Sequence, residues 1–372
     1  MTAAASQATA DPQPTSFGMK ASRGFVPWLA QRHISLAVSA YQSGKLFLIG
    51  HNDQGGIAGY ERTFERAMGL ATDPAGQAQT LYLATAFQVW RIENALAPGE
   101  SFDGYDRLFI PQAGTTTGDL DVHDIAVDAD GRLVFVSARF GCLATTSDRY
   151  HFDPLWTPPF VSRLAGEDRC HLNGLAMVEG KPRYVTACAQ TDLAGAWRDH
   201  RRNGGCVIDV DANAVVLEGL SMPHSPRWHD GKLWLLDSGT GWFGHADLDA
   251  GTFNRVAFCP GYCRGLAFVD GYAVVGLSLP RHEPTFDGLE LGEALTKHGV
   301  SAKCGLRIIE LATGDTVEWL DFDEPVRELY DVATLPGVKR PMLIGFKSDE
   351  IRTRVWADPQ GLQRCQKTPA AH

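Results

Sequence analysis

Three histidines and an arginine–tyrosine pair carry the chemistry this sequence can offer. His123 in VHDIA, His171 in RCHLNGLAM and His224 in MPHSPRW each stand just ahead of, or within, the start of a short apolar stretch, and Arg264 (CRGLAF) and Tyr330 (YDVAT) open two more. Three imidazoles make a competent shell for Zn²⁺, Fe²⁺ or Cu, with positions left over for water and substrate. The expected centre is therefore a divalent transition metal on His123, His171 and His224. Arg264 can hold a carboxylate or oxyanion, and Tyr330 can act as acid, base or hydrogen-bond donor, so these two are the expected catalytic residues. Asp124, Asp331 and nearby backbone carbonyls are expected to orient the ring N–H groups. The alternatives are histidines bridged by ordered water, a mixed metal site that uses Asn173, and an ion pair between Arg264 and Asp331 or Asp124.

A repeat must position these residues. Six copies of one pattern follow in order: Met68-Gly69-Leu70-Ala71, His123-Asp124-Ile125-Ala126, Asn173-Gly174-Leu175-Ala176, Ser225-Pro226-Arg227-Trp228, Arg264-Gly265-Leu266-Ala267 and Tyr330-Asp331-Val332-Ala333. Each runs on to a second strand, often across an Asp-Gly turn, as in DADGRLVFVSA and HDGKLWLLDS, which is a strong hairpin signal. A further strand pair fits between copies, such as GGCVIDV with AVVLEGL. Four strands in each of six units predict an all-β fold, a six-bladed β-propeller. ISLAVSAYQSGKLFLIG supplies strands ahead of the first copy, so the ring is expected to close by pairing the chain's start with its end.

The first strand of each blade lines the central channel, and the residue before each triplet is the one expected at the axis. Five of those six are polar, with Met68 the exception. Buried without partners, each would cost ~1–3 kcal/mol, so they call for water, metal or ligand. Asn173 and Ser225 are expected to bind substrate. His224 lies one residue out of register, where strand alternation would turn it away; Pro223 and Pro226 beside it are expected to break that alternation.

Composition narrows the partners. The chain has 372 residues, 44% hydrophobic, with Gly 39 and Pro 20 and a net charge of −10, the wrong sign for tracking phosphates. Neither nucleic acid nor an anionic membrane is an expected partner. No apolar run approaches the ~18 residues of a membrane span, and the start lacks the apolar block of a secretory signal, so a cytoplasmic location is expected. Residues 1–24 and 361–372 are expected as tails around a propeller at 25–360. The eight cysteines show no CxxC pair and are expected as reduced thiols, inert when buried, even Cys170 and Cys263 beside His171 and Arg264. Two long loops, 148–170 with Trp156 and the segment TDLAGAWRDHRRNGG with Trp197, are expected as lids whose indoles touch substrate; packing between blades is the alternative. The stretch PRHEPTFDGLELGEALTKHGVSAK reads as an inserted loop with a short helix.

GDLDVHDIA, RFGCLAT, EDRCHLNGLAM, GLSMPHSPRWHDGKLWLLDSGTG and YCRGLAFV together resemble a bacterial family of conserved hypothetical proteins, which implies a propeller without implying an activity. More loosely, Asn173 in NGLA resembles the axial Asn of the senescence-marker/gluconolactonase propellers, whose axial residues bind a divalent cation for lactone hydrolysis. Here His123 and Ser225 stand where that family's pattern implies acidic ligands. The peptidyl-hydroxyglycine amidating lyases look similar in another respect: they hold a three-His zinc centre on a propeller axis near Tyr and Arg, types offered here by His123, His171, His224, Tyr330 and Arg264. The expectation is a metal-dependent enzyme (Cu, Fe or Zn) acting on a small-molecule or peptide substrate. Oxidation stands ahead of lyase or hydrolase chemistry, because an all-imidazole shell suits Cu and Fe as well as Zn. The rival expectation is a non-catalytic propeller that binds a protein or peptide on its top face.

Overall fold

The computed structural model describes residues 18–280, 287–357 and 361–365. Six antiparallel sheets of four core strands stand around a common axis. Their innermost strands are Leu70–Thr72 (blade 1), Val122–Val127 (blade 2), Leu172–Val178 (blade 3), Pro223–His229 (blade 4), Tyr262–Val269 (blade 5) and Leu329–Pro336 (blade 6). Each packs against the next, and blade 6 returns to blade 1. This is the six-bladed propeller that the repeats predict. Closure also follows the expected route, for Ile34–Ala40 pairs antiparallel with Leu329–Pro336, setting Val38 against Val332. Every residue of ISLAVSA is buried, because that strand is covered by a neighbouring blade on both faces.

In the blade 4 and blade 5 hairpins both turn residues stand in left-handed backbone. Asp230 and Gly231 have φ of 47° and 73°, and Asp270 and Gly271 have 46° and 79°, the paired positive values a type I′ turn requires.

The repeat turns out to alternate between two kinds of blade. Blades 1, 3 and 5 carry Gly69, Gly174 and Gly265, where a Cβ would meet Asp124 Cα at 3.1 Å, Pro226 Cδ at 2.2 Å and Asp331 Cα at 2.8 Å. Blades 2, 4 and 6 answer with a side-chain acceptor for the following blade. Asp124 Oδ2 accepts from Leu175 N (2.9 Å), Ser225 Oγ from Gly265 N (3.0 Å) and Asp331 Oδ2 from Leu70 N (3.0 Å). Close backbone approach at one seam and a side-chain hydrogen bond at the next join the inner strands around the axis.

Part of each expected tail lies among the described residues. Met19–Ala21 adds a fifth strand to blade 5, pairing Met19 with Phe322, and Phe25–Gln31 is a helix that buries Phe25, Trp28 and Leu29. The apolar residues of GMKASRGFVPWL find cover on the blade edge, which offsets the ordering entropy that composition alone weighs against them. At the other end Gly361–Arg364 pairs with Arg354–Ala357. Residues 1–17 and 366–372, the remainder of those tails, lie outside the described residues. Of the expected insertion, residues 281–286 also lie outside them, and the helix is Glu290–His298. Among the described residues no helix is long and apolar enough to cross a membrane.

Candidate functional site: a chamber on the propeller axis

The three histidines enter from blades 2, 3 and 4, each just after a sharp turn in left-handed backbone. Asp121 (φ 54°), Asp168 (φ 47°) and Met222 (φ 48°) make those turns, and each folds an acceptor back onto the ring. His123 Nδ1 lies 3.0 Å from Asp121 O, His171 Nδ1 2.8 Å from Asp168 Oδ1, and His224 Nδ1 2.8 Å from Met222 O. Carbonyl and carboxylate oxygens only accept, so Nδ1 carries a proton in each ring, and Nε2 keeps its lone pair in each ring that is neutral. Burial pushes the His123 pKa down to about 4, against the pull of Asp121. His224 lies well below the ordinary histidine value, from burial and then from Arg264. Both are neutral at pH 7.

The structure brings His123 and His171 together, ring centroids 4.8 Å apart and edge to face. His224 reaches the axis as expected; the break comes at Ser225, whose φ is 49°, and the ladder to the next strand loses register just beyond it. There Asn173 claims the ring. Its Nδ2 donates to His224 Nε2 (3.0 Å) and also points at Cys188 Sγ (3.6 Å). The Nε2 expected to face a metal is thus already an acceptor for an amide. Among the described residues no group of three or more His, Cys, Asp or Glu side chains is arranged to hold a metal ion.

Asp124 and Asp331 do not orient the imidazoles. They converge on Arg227, whose Nη1 lies 2.7 Å from Asp124 Oδ2 and whose Nη2 lies 3.4 Å from Asp331 Oδ1. The ring acceptors are instead Asp121 and Met222 through their carbonyls, as expected of backbone groups, and Asp168 through its carboxylate. The Arg227 layer spans the channel beneath the chamber, and beyond it opens a funnel of about 430 Å³ lined by inner-strand residues such as Ala71, Ala126, Met177 and Phe268.

Arg264 is therefore free of the ion pair weighed for it. Its guanidinium carbon sits 5.2 Å from the Tyr262 ring centroid and 4.9 Å from that of Tyr330, so two aromatic faces fix its position. Arg264 Nε and the Tyr330 hydroxyl are both buried without a hydrogen-bond partner among the described residues. Tyr330 lies edge to face with His123, centroids 5.6 Å apart, and burial raises its pKa well above the usual phenol value.

Trp197 and Trp156 part company. Trp197 is 2% exposed and stacks on His171 at 4.1 Å, while its Nε1 donates to Asp168 Oδ2 at 2.8 Å. It is a wall of the chamber, held by the same carboxylate as the histidine. Trp156 lies on the outermost strand of blade 2, Asp153–Trp156, where its Nε1 donates to Asn213 Oδ1; the structure does not bring it to the axis. The loop around Trp156 folds into the blade edge because its backbone finds ladder partners there. Above the axis, Trp197 packs with Leu289 and Leu291 of the inserted segment, and Arg169 ties the two long loops by pairing with Glu167 and Asp192. Cys170 is fully buried, its thiol pushed up to about 12 chiefly by burial, which fits an inert thiol.

Ser225 faces a neighbouring strand as the acceptor for Gly265, so its polarity is already satisfied. Sequence reasoning missed Asp121 and Asp168, whose only signal is an acidic residue two or three positions ahead of His123 and His171. It gave Arg227 little weight, although an arginine at the centre of a repeat copy is itself a signal.

A closed ring of six blades, with His123, His171, His224, Arg264 and Tyr330 buried on or just ahead of their inner strands, is a six-bladed β-propeller. Within that class, the chain belongs to the family described as a domain of unknown function, DUF4915, which spans residues 23–344. No curated protein matches it. A solved nidogen/laminin complex is similar in fold, with a TM-score of 0.50 at 12% identity over 82% of this chain and 99% of that one. Two further structures overlap more weakly. A putative 6-phosphogluconolactonase from Bacteroides uniformis gives 0.39 at 12% identity (74% of this chain, 78% of that one). A catalytically inactive virginiamycin B lyase from Staphylococcus aureus with quinupristin gives 0.34 at 11% (64% and 75%).

Proposed function

We propose that this protein is an enzyme acting on a small molecule in the axial chamber, with His171 as its general base. The observation that carries the reading is the contact of Asp168 Oδ1 with His171 Nδ1 at 2.8 Å, which fixes the ring with Nε2 ready to accept a proton. Asp168 stays ionised, its pKa lowered by His171 and Trp197 against the cost of burial. An imidazolium formed on proton abstraction is therefore stabilised where it forms. Tyr330 and Arg264 supply a hydroxyl and a positive charge on the other side of His123.

A second reading keeps the transition metal. Anchoring of all three Nδ1 atoms is the arrangement metal-bound histidines need, and it favours Cu, Fe or Zn on Nε2 of His123 and His171, with His224 joining once the Asn173 amide turns away. Such an ion would supply Lewis acidity or, as Cu or Fe, redox chemistry.

One experiment tests both. Tag-free protein is assayed for metal and then incubated with a small-molecule extract, with and without EDTA, beside folded His171→Ala and His123→Ala/His224→Ala variants. Depletion of a compound by metal-free protein that vanishes in His171→Ala supports the base. Near-stoichiometric metal that the double variant loses, with EDTA-sensitive turnover, favours the metal. No His171-dependent depletion from any extract overturns the enzyme reading and returns the search to partners of the top face.

A further inference from the structure

We infer that the chamber takes a small carboxylate monoanion, gripped by Arg264 with the Tyr330 hydroxyl donating beside it; this rests on the reading of the chamber as a small-molecule site. Arg169, Arg264 and Arg307 are each 7% exposed. Arg169 pairs with Glu167 and Asp192, and Arg307 with Asp321 at 2.7 Å. Arg264 alone among these three has no carboxylate within salt-bridge distance among the described residues. A guanidinium does not give up its proton near neutral pH, so it cannot escape burial by neutralising itself as a lysine or histidine does. Among the described residues nothing supplies the counter-charge, and a bound anion would.

The two carboxylates of the Arg227 layer are committed elsewhere. Asp124 and Asp331 each serve Arg227 and a backbone N–H of the next blade, Leu175 and Leu70 respectively. Neither can turn toward Arg264 without abandoning a buried donor, at ~1–3 kcal/mol for each one left unpaired. Arg264 is also held still. Tyr262 and Tyr330 flank its guanidinium, and the unpartnered Nε and the Tyr330 hydroxyl are two buried donors without acceptors among the described residues. A planar carboxylate has the geometry to meet such donors, two lone-pair oxygens against a fork of N–H groups. The charge favours a monoanion over phosphate, because the Asp121 carboxylate, 3.8 Å from Nδ1 of the His123 ring that packs on Tyr330, would repel a second negative charge.

The probes are sodium acetate and sodium phosphate at constant ionic strength against a sodium chloride reference at pH 7, read by titration calorimetry and thermal shift. Acetate is expected to bind wild type more tightly than phosphate. Arg264→Met should weaken it at least tenfold and Tyr330→Phe about threefold to tenfold. If Arg264→Met does not fold, Arg264→Lys replaces it: charge without the fork should weaken acetate severalfold. Acetate no better than chloride, or equal affinity in the folded Arg264 variant, overturns the proposal, and phosphate binding more tightly than acetate overturns the monoanion assignment. No turnover is needed for this readout. Arg264-dependent acetate binding without His171-dependent turnover removes the enzyme reading and leaves the anion site standing, whereas turnover of a neutral compound with no acetate binding does the reverse.

Discussion

Arg227 on blade 4 reaches across the channel to Asp124 on blade 2, placing Nη1 2.7 Å from Oδ2 and Nη2 3.2 Å from Oδ1. Asp331 of blade 6 completes the layer from the third side. Three alternate blades are thus joined through their side chains at the axis, and each carboxylate also holds the inner strand of the following blade. The layer closes the floor of the histidine chamber.

Replacing Arg227 by Met should leave the Asp124 carboxylate buried without its cation, beside an Asp331 carboxyl that holds a proton near neutral pH. Removing one partner of a buried ionic group typically costs ~3–5 kcal/mol, because the remaining charge stays desolvated. Urea unfolding of Arg227→Met is expected to show a loss of that order, with part of it returned by adding Asp124→Asn. A single variant within about 1 kcal/mol of wild type would mean the layer contributes little net stability.

The same layer gives stability an unusual pH slope. Burial, reinforced by Asp124 and opposed by Arg227, raises the Asp331 carboxyl to about 7, above its ordinary value of 3.8. The folded chain therefore keeps a proton that the unfolded chain releases, and stability falls as pH rises through that interval, then levels off above it. The slope is about 1.4 kcal/mol for each pH unit over which only the folded form holds the proton. Melting temperatures from pH 5 to 8.5 should decline less in Asp331→Asn than in wild type. Parallel profiles would assign the slope to other groups.

Gly265 combines two demands that can be separated. Its φ is 82°, and a Cβ there would approach Asp331 Cα and Val332 N at 2.8 Å; Gly271 has nearly the same φ, 79°, with nothing within 4 Å. Gly271→Ala should show only backbone strain, ~1 kcal/mol. Gly265→Ala should lose clearly more, by ~2 kcal/mol or above, as the seam between blades 5 and 6 is forced apart. Equal losses in the two variants would mean that the inner strands yield without cost.

The ring was legible because its signals are local. Asp-Gly turns and alternating apolar strands recur in each copy, and six copies in order leave few other folds. The glycines of blades 1, 3 and 5 and the aspartates of blades 2 and 6 were visible too, but their meaning depends on which blade lies beside which. Arg227 was hidden by the Pro226 and Trp228 around it, which make its copy look unlike the others. His123, His171 and His224 were found at the axis, whereas the contact that engages His224 comes from Asn173, 51 residues away in sequence. Trp156 was misplaced because aromatic content cannot tell a loop that covers an axis from one that joins a blade as its last strand.

Asp168 offers a test of how the chamber sets its base. Oδ1 accepts from His171 Nδ1 and Oδ2 from Trp197 Nε1, both at 2.8 Å, so an ionised carboxylate satisfies two donors at once. Asparagine has one accepting oxygen. Turned to satisfy the indole, which can only donate, Asp168→Asn presents its NH₂ to His171 and drives the ring to carry its proton on Nε2. The variant should fold with a loss of ~1–2 kcal/mol, and imidazole ¹⁵N–¹H correlation spectra should show His171 alone changing tautomer. Adding Trp197→Phe removes the competing donor and lets the amide oxygen turn back, so the double variant should recover the Nδ1–H form. A His171 that keeps Nδ1–H in Asp168→Asn would show that packing against Trp197 and His123, and not the carboxylate, decides which nitrogen faces the chamber.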